Sequence, residues 1–296
     1  MLDLKKCELC PRRCGADRRK ESGLCGQKET IKIARAALHF WEEPPISGER
    51  GSGTIFFSGC SLGCIYCQNR AISHRGKGKE ISLERLIALF FDLEKQGAHN
   101  INLVTPTHYA LQIKEAVAGY RAQGGKLPIL YNTSGYERIE TLQALKETVD
   151  IYLTDLKYRE SASAQKYSRA ADYPAVARAA LSEMVSLVGA PRLDERGMLK
   201  RGVVVRLLVL PSLEHEAMMN LKWLKETFGD TIMVSIMNQY TPVGDGLPKE
   251  LSAPLPPAAY RTVVDYARSL QFKYAYIQEG ETAKESFIPD FEEETF

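Results

Sequence analysis

Cys60, Cys64 and Cys67 stand as Cys-Ser-Leu-Gly-Cys-Ile-Tyr-Cys, directly after the apolar run Thr54-Ile55-Phe56-Phe57. Thiolates are the preferred ligands of iron–sulfur clusters, and a cubane takes one ligand on each of its four irons. Spacings of three and two residues let one short loop wrap a single cluster, yet the loop supplies only three thiolates. One iron is left open, and an open iron is where a small molecule can bind and react. A closed structural zinc site is the alternative; it needs a fourth ligand, and His74 is the nearby candidate. Zinc knuckles space their cysteines as two pairs, whereas this run is asymmetric and sits at the end of a predicted strand, which favours the cluster.

Four more cysteines come earlier, in Cys7-Glu8-Leu9-Cys10-Pro11-Arg12-Arg13-Cys14 and Gly23-Leu24-Cys25-Gly26. Four thiolates complete a closed site. Either a structural zinc or a second 4Fe–4S cluster satisfies them, since Cys-Pro pairs also occur at such clusters; zinc is favoured, because four thiolates in a short, basic, loop-like segment suffice to fold it without a redox role. The seven cysteines all fall within the first 67 residues, odd in number and at metal-ligand spacings. That pattern argues against a secreted disulfide scaffold and for reduced thiols in a cytoplasm.

Elements that alternate along the chain must position these residues. Strands are predicted at Thr54–Phe57, Ile101–Val104, Ile129–Asn132, Ile151–Thr154, Val203–Val209 and Ile232–Ile236, most of them nearly continuous apolar runs as in parallel sheets. Between the first two lies a clear helix: Ser82 is its N-cap, Leu83, Leu86, Ile87, Phe90 and Phe91 form an apolar stripe, and Gly97 stops it. Further helices are predicted at Tyr109–Tyr120, Glu137–Leu145, Ala175–Val188, Glu214–Phe228 and Pro257–Leu270. Six strand–helix repeats with right-handed crossovers predict an α/β fold, a partial (β/α)6 TIM-like barrel. A doubly wound open sheet is the alternative, but no Gly-x-Gly-x-x-Gly turn follows the first strand.

Each strand runs into a polar or glycine-rich segment: Cys60–Cys67, Thr105–His108, Asn132–Tyr136, Asp155–Tyr158, Pro211-Ser212 and Met237–Pro242. In parallel α/β folds such segments share the carboxyl edge of the sheet, where active sites form. Arg206 lies inside the otherwise apolar Val203–Leu208, and a charge there needs a partner. Either a ligand carboxylate or a structural Asp or Glu can supply it. His108 is a candidate proton carrier, with a local hydrogen bond as the plainer role. Gln239 and Tyr240 are placed to face a substrate.

The rest of the composition is ordinary. The chain has 296 residues, 44% hydrophobic and 26% charged, with a formal net charge of +2. Those values give no case for nucleic acid or an anionic membrane surface as partner. The start, Met1-Leu2-Asp3-Leu4-Lys5-Lys6, lacks the apolar core of a signal peptide, and no stretch approaches membrane-span length. The expected organisation is a cysteine-rich element over 1–50, a catalytic core over 51–280 and a tail over 281–296, whose Glu292-Glu293-Glu294 reads as solvated and mobile.

The Cys-x3-Cys-x2-Cys run with Tyr66 before its last cysteine resembles the signature of the radical S-adenosylmethionine (SAM) superfamily. The resemblance covers most of residues 50–280. It implies the radical SAM type of partial barrel, a 4Fe–4S cluster whose open iron chelates SAM, and one-electron cleavage of SAM to a 5′-deoxyadenosyl radical. An electron donor such as flavodoxin or ferredoxin is implied with it. Cys64-Ile65-Tyr66-Cys67-Gln68-Asn69 is most similar to activating enzymes of glycyl-radical enzymes. Asn102–Tyr109, together with the first cysteine run, resembles the pyruvate formate-lyase activating enzyme-like branch.

Where those activators carry Gly-Gly-Glu to hold the SAM amino group, this chain has Thr105-Pro106-Thr107-His108; Thr105 and Thr107 offer hydroxyl or carbonyl acceptors instead. By the same resemblance Tyr66 touches adenine, Ser134 and Gly135 lie near SAM, and Asp155 and Lys157 face SAM and substrate. Arg206 can bind the SAM carboxylate in a bidentate fashion. Three functions follow as expectations: an oxidoreductase that activates a glycyl-radical partner enzyme, a radical SAM enzyme acting on a small molecule or peptide, or a non-enzymatic metal-binding interaction module.

Overall fold

The computed structural model describes residues 2–74, 76–243, 246–279 and 291. The expected tail, including Glu292-Glu293-Glu294, lies outside the described residues apart from Phe291. The chain runs β1 (Ile31–His39), α1 (Pro44–Ser47), β2 (Ser52–Phe57), α2 (Arg70–Ser73), β3 (Lys79–Ile81), α3 (Leu83–Lys95), β4 (Ile101–Val104), α4 (Ala110–Ala122), β5 (Ile129–Thr133) and α5 (Ile139–Ala144). It continues with β6 (Ile151–Asp155), α6 (Ser161–Ser168), α7 (Tyr173–Val188), β7 (Arg192–Leu193), β8 (Leu199–Leu208), α8 (Glu214–Phe228), β9 (Met233–Met237), α9 (Pro257–Ser269) and β10 (Ala275–Ile277).

Strands β10, β9, β8, β6, β5, β4 and β2 lie side by side in that order and parallel. At the β2 edge β1 turns back antiparallel, and β3 pairs antiparallel with β1 in turn. Among the described residues the two ends of the sheet, β3 and β10, do not pair, so the barrel is not closed. β1 falls within the stretch 1–50 and joins this sheet directly; its basic residues Lys32 and Arg35 had masked a strand in the sequence.

Helices α3 to α9 pack against a single face of the parallel strands. Ile55, Phe57, Ile101, Leu103 and Ile129 meet Leu86, Phe90, Ile113 and Tyr120 of α3 and α4. Tyr131, Tyr152, Val203, Val205, Leu207, Val234 and Ile236 meet the later helices. A doubly wound sheet would carry helices on both faces, so that alternative is overturned. Ser82 caps α3 as expected, its hydroxyl accepting from the Arg85 N–H at 3.2 Å.

The opposite face is layered along the strands. Leu130, Leu153, Val204 and Met233 form an apolar layer closed by Ile46 of α1. Two residues further along each strand stand Asn132, Asp155, Arg206 and Ser235. Because side chains alternate with a period of two, these four share the face opposite α3 to α9. A polar floor therefore lies between a dry plug and the carboxyl ends of the strands.

Candidate functional site

The loop after β2 turns through two left-handed glycines, Gly59 (φ 84) and Gly63 (φ 70). Each cysteine sulfur in it meets one hydrogen-bonding group. The Leu62 N–H points at Cys60 Sγ at 3.4 Å. The Ser168 hydroxyl donates to Cys64 Sγ at 3.1 Å, and Ser73 Oγ lies 3.3 Å from Cys67 Sγ. Burial, reinforced by Cys64 and Cys67, pushes the Cys60 thiol up to about 12. Deprotonated sulfurs in this position call for a compensating cation. All three cysteines line one cavity of about 250 Å³ at the carboxyl ends of the strands. Three thiol ligands opening on a cavity fit a 4Fe–4S cluster that keeps one iron free of protein. His74 lines the same cavity. Among the described residues, however, no three His, Cys, Asp or Glu side chains converge closely enough to hold a single metal ion.

The polar floor is a closed charge network. Arg206 donates from Nε to Asp155 (3.1 Å), from one terminal nitrogen to Glu42 (3.2 Å) and from the other to Asn132 Oδ1 (2.7 Å). Lys157 Nζ donates to the second Asp155 oxygen at 2.6 Å. Asn102 and Asn132 both donate to Glu42 Oε1. Burial works against the Asp155 charge, but Lys157 and Arg206 outweigh it and hold its pKa below the usual carboxylate range. Glu43 is pushed upward by burial despite Arg206, and its Oε2 has no hydrogen-bond partner. Both glutamates come from the β1–α1 connection and line the cavity.

Tyr66, Thr105, Ser134, Asp155, Lys157 and Arg206 line this cavity with the three cysteines. Thr107 and Gly135 lie behind its wall. The Thr107 hydroxyl donates to the buried Glu137 at 2.5 Å. A Cβ on Gly135 would stand 2.4 Å from the Asp155 carbonyl, so only glycine passes there. Thr105 holds φ 58, a left-handed conformation uncommon for a β-branched residue. Arg206 takes the ion-pair alternative, its nitrogens occupied by carboxylates and an amide of this chain. The Tyr66 hydroxyl is 2.9 Å from that of Tyr158, which is 2.6 Å from Ser168 Oγ, so the aromatic and the Cys64 sulfur share one chain of hydroxyls.

His108 serves a local hydrogen bond. Its Nε2 is 2.7 Å from the Ser58 carbonyl, and burial with nearby Arg18 lowers its pKa to about 3. Gln239 lines the cavity; Tyr240 is buried with its ring edge-on to Tyr66. Sequence reasoning missed Glu42, Glu43, Tyr158 and Ser168. For the glutamates nothing local in the sequence pointed inward. The apolar-then-polar step repeated in β5, β6, β8 and β9 was a readable signal of the floor that they meet.

The amino-terminal cysteines form a second group: Cys7, Cys10 and Cys25 are buried and Cys14 partly so. Their segment sits on the cluster loop. Arg12 donates to the carbonyls of Ser61 (3.0 Å) and Leu62 (3.1 Å) and to that of Ser168 (2.9 Å).

Residues 54–181 match the model of the radical SAM superfamily. An uncharacterized protein of Methanocaldococcus jannaschii is 30% identical over 177 residues, 57% of this chain and 50% of that protein. The chain thus spans about half the length of this curated relative. Streptococcus suis SuiB, in a crystal structure bound to S-adenosylmethionine, is similar in fold with a TM-score of 0.50 and 12% identity, over 75% of this chain and 48% of SuiB. Among the described residues, no helix is long and apolar enough to cross a membrane. The three-cysteine loop and the parallel strands β4 to β6 that follow it thus lie within a stretch, residues 54–181, that is similar to the radical SAM superfamily.

Proposed function

We propose that this chain is a radical SAM enzyme in which Cys60, Cys64 and Cys67 hold a 4Fe–4S cluster and SAM occupies the adjoining cavity. The observation that carries this is the meeting of three hydrogen-bonded cysteine sulfurs and the polar strand ends at one cavity. When bound, such a cluster chelates the SAM amino and carboxylate groups at its open iron and supplies the electron that splits SAM into methionine and a hydrogen-abstracting 5′-deoxyadenosyl radical. The protein's part is binding and orientation. Tyr66 gives adenine a buried aromatic wall, and Tyr158 holds the ring in place. Thr105 and Ser134 offer hydroxyl and carbonyl groups to the polar parts of SAM. Asp155 and Lys157 present a fixed ion pair to SAM and substrate, and Arg206 is a positioning residue that acts through Asp155. Thr107 and Gly135 act from behind the wall, the first through Glu137 and the second by letting the backbone pass close to Asp155.

The organisation that goes with this function is a cysteine-rich element over 1–50, strapped to a radical SAM core over 51–280 through β1, and a tail over 281–296. An electron donor such as flavodoxin or ferredoxin serves it in the cytoplasm. The substrate is a small molecule or a peptide. Activation of a glycyl-radical enzyme is the second reading, favoured by the run Cys64–Asn69. Anaerobic loading with iron and sulfide, followed by reduction in the presence of SAM, tests the proposal. The expected products are 5′-deoxyadenosine and methionine; a colourless protein containing only zinc would leave a non-enzymatic metal-binding module. A glycyl-radical signal raised on a candidate partner enzyme would establish the second reading.

A further inference from the structure

The four amino-terminal cysteines are gathered by a short run of turns. The Cys7 N–H donates to Ala16 O and the Gly15 N–H to Cys7 O, both at 3.0 Å, folding the first three cysteines round one loop. The Gly23 N–H donates to Gln27 O at 3.0 Å and brings Cys25 back against them. A Cβ placed on Gly23 would stand 3.3 Å from Cys14 Sγ and 3.5 Å from Cys25 Sγ. Gly23 therefore separates two of the sulfurs, and the absence of a side chain keeps the space between them open.

Spacing distinguishes what the site can hold. Zinc–thiolate bonds of about 2.3 Å place tetrahedral sulfurs roughly 3.8 Å apart. Among the described residues no three cysteines converge on one ion position. The same holds for Cys60, Cys64 and Cys67. Four buried or half-buried thiols, no three of which converge on one ion, supply the ligand set of a four-iron cubane.

Contact between the two cysteine groups is direct. The Cys60 N–H donates to the Cys25 carbonyl at 3.3 Å. A Cβ on Gly59 would lie 2.6 Å from that same carbonyl, so the backbones touch with nothing between them. A prospective ligand of each group thus stands on either side of one hydrogen bond.

We propose that Cys7, Cys10, Cys14 and Cys25 hold a second 4Fe–4S cluster, which passes single electrons across the Cys25–Cys60 contact to the SAM-binding cluster. A reduced one-electron carrier protein supplies the electron. The amino-terminal cluster is reduced from its 2+ to its 1+ state and reoxidised as the SAM-binding cluster is reduced in turn. No proton moves and no covalent bond changes in this transfer; bond breaking stays with SAM. The relay rests on the radical SAM reading, whereas the metal site itself does not.

The full chain carrying Cys60→Ala, Cys64→Ala and Cys67→Ala together leaves the amino-terminal group intact and is loaded anaerobically with iron, zinc, and sulfide. It is expected to keep about four irons and no zinc, and on reduction to give a paramagnetic signal that SAM leaves unchanged. Zinc in place of iron, or no bound iron, would overturn the site. Gly23→Val, which crowds the sulfurs and removes no ligand, is expected to halve the iron of the otherwise parental chain; unchanged iron would overturn the placement. For the relay, Cys14→Ala is expected to retain SAM cleavage with titanium(III) citrate and lose it with reduced flavodoxin. Equal rates with both donors, or equal losses, would overturn the relay. Failure of the radical SAM reading shows separately, as no 5′-deoxyadenosine from the parental chain with titanium(III), while the iron content still scores the amino-terminal site.

Discussion

Two cysteine groups lie back to back in this molecule, and they differ in count and in surroundings. Cys60, Cys64 and Cys67 stand at the end of β2 and open on a cavity floored by the charge network. Cys7, Cys10, Cys14 and Cys25 are wrapped in their own turns and do not line that cavity. A ligand set one short of complete, placed at the mouth of a parallel sheet, is built to admit a reactant. A complete set held away from the mouth is built to exclude one. The difference teaches that thiol chemistry alone does not decide function; ligand count and address decide it together.

The largest expected effect falls on the open group. Cys64→Ala should abolish 5′-deoxyadenosine formation, measured by chromatography, because two thiolates cannot hold a cubane securely. Metal bound at the amino-terminal group should survive, and parental turnover in this variant would break the distinction between the groups. Next is Arg206→Ala, which strands Asp155 and Glu42 without their shared cation. Breaking such a buried pair costs about 3–5 kcal/mol, readable as a lowered midpoint in chemical denaturation.

Glu137, buried near Cys10, accepts from Thr107 and Thr133, with its Oε2 unpartnered. Burial raises its pKa from 4.5 to about 7, against the hydrogen bonds from Thr107 and Thr133. The folded state therefore holds this proton more tightly than the unfolded state does. The resulting stability is complete below pH 4.5 and is lost as pH rises through about 7. Its size is on the order of 3 kcal/mol. Glu137→Gln should flatten that slope between denaturation curves taken at acid and mildly alkaline pH. Arg12→Ala removes the bridge to Ser61, Leu62 and Ser168 and should cost about 2 kcal/mol. Hydrogen exchange should then rise in the cluster loop before it rises in β4 or β5. Smallest of all, Tyr66→Phe keeps the aromatic wall and loses the hydroxyl contact with Tyr158, about 1 kcal/mol of stability by chemical denaturation.

The parallel core was legible because its signals are local. Ile101–Val104 and Glu214–Phe228 stand where their apolar patterns place them, and Ser82 caps its helix as its side chain dictates. Arg206 was legible as a charge that needed a partner, and its partners are Asp155 and Glu42. Glu42 itself was not legible: it reaches the floor from the β1–α1 connection, and no local pattern encodes contacts with Asn102 and Arg206. β1 was hidden for a related reason, since a strand interrupted by Lys32 and Arg35 lacks a continuous apolar run and owes its conformation to pairing with β2 and β3. Ser168 and Tyr158 became part of the site only through packing of α6 against the cluster loop.

The hydrogen bonds of Arg12 also set a timetable. Turns within residues 7–27 can form as soon as that stretch leaves the ribosome, because their partners are near in sequence. Arg12, however, completes its contacts on Ser168 and Arg169, more than 150 residues later. Contacts that distant must wait for the intervening chain and for the loop entropy of closing it. Residues 7–27 thus dock only once α6 is made, and until then the cluster loop lacks both its full arginine bridge and the Ser168 hydroxyl. Completion of the cysteine loop's hydrogen bonds is thereby timed to follow synthesis of the first half of the sheet.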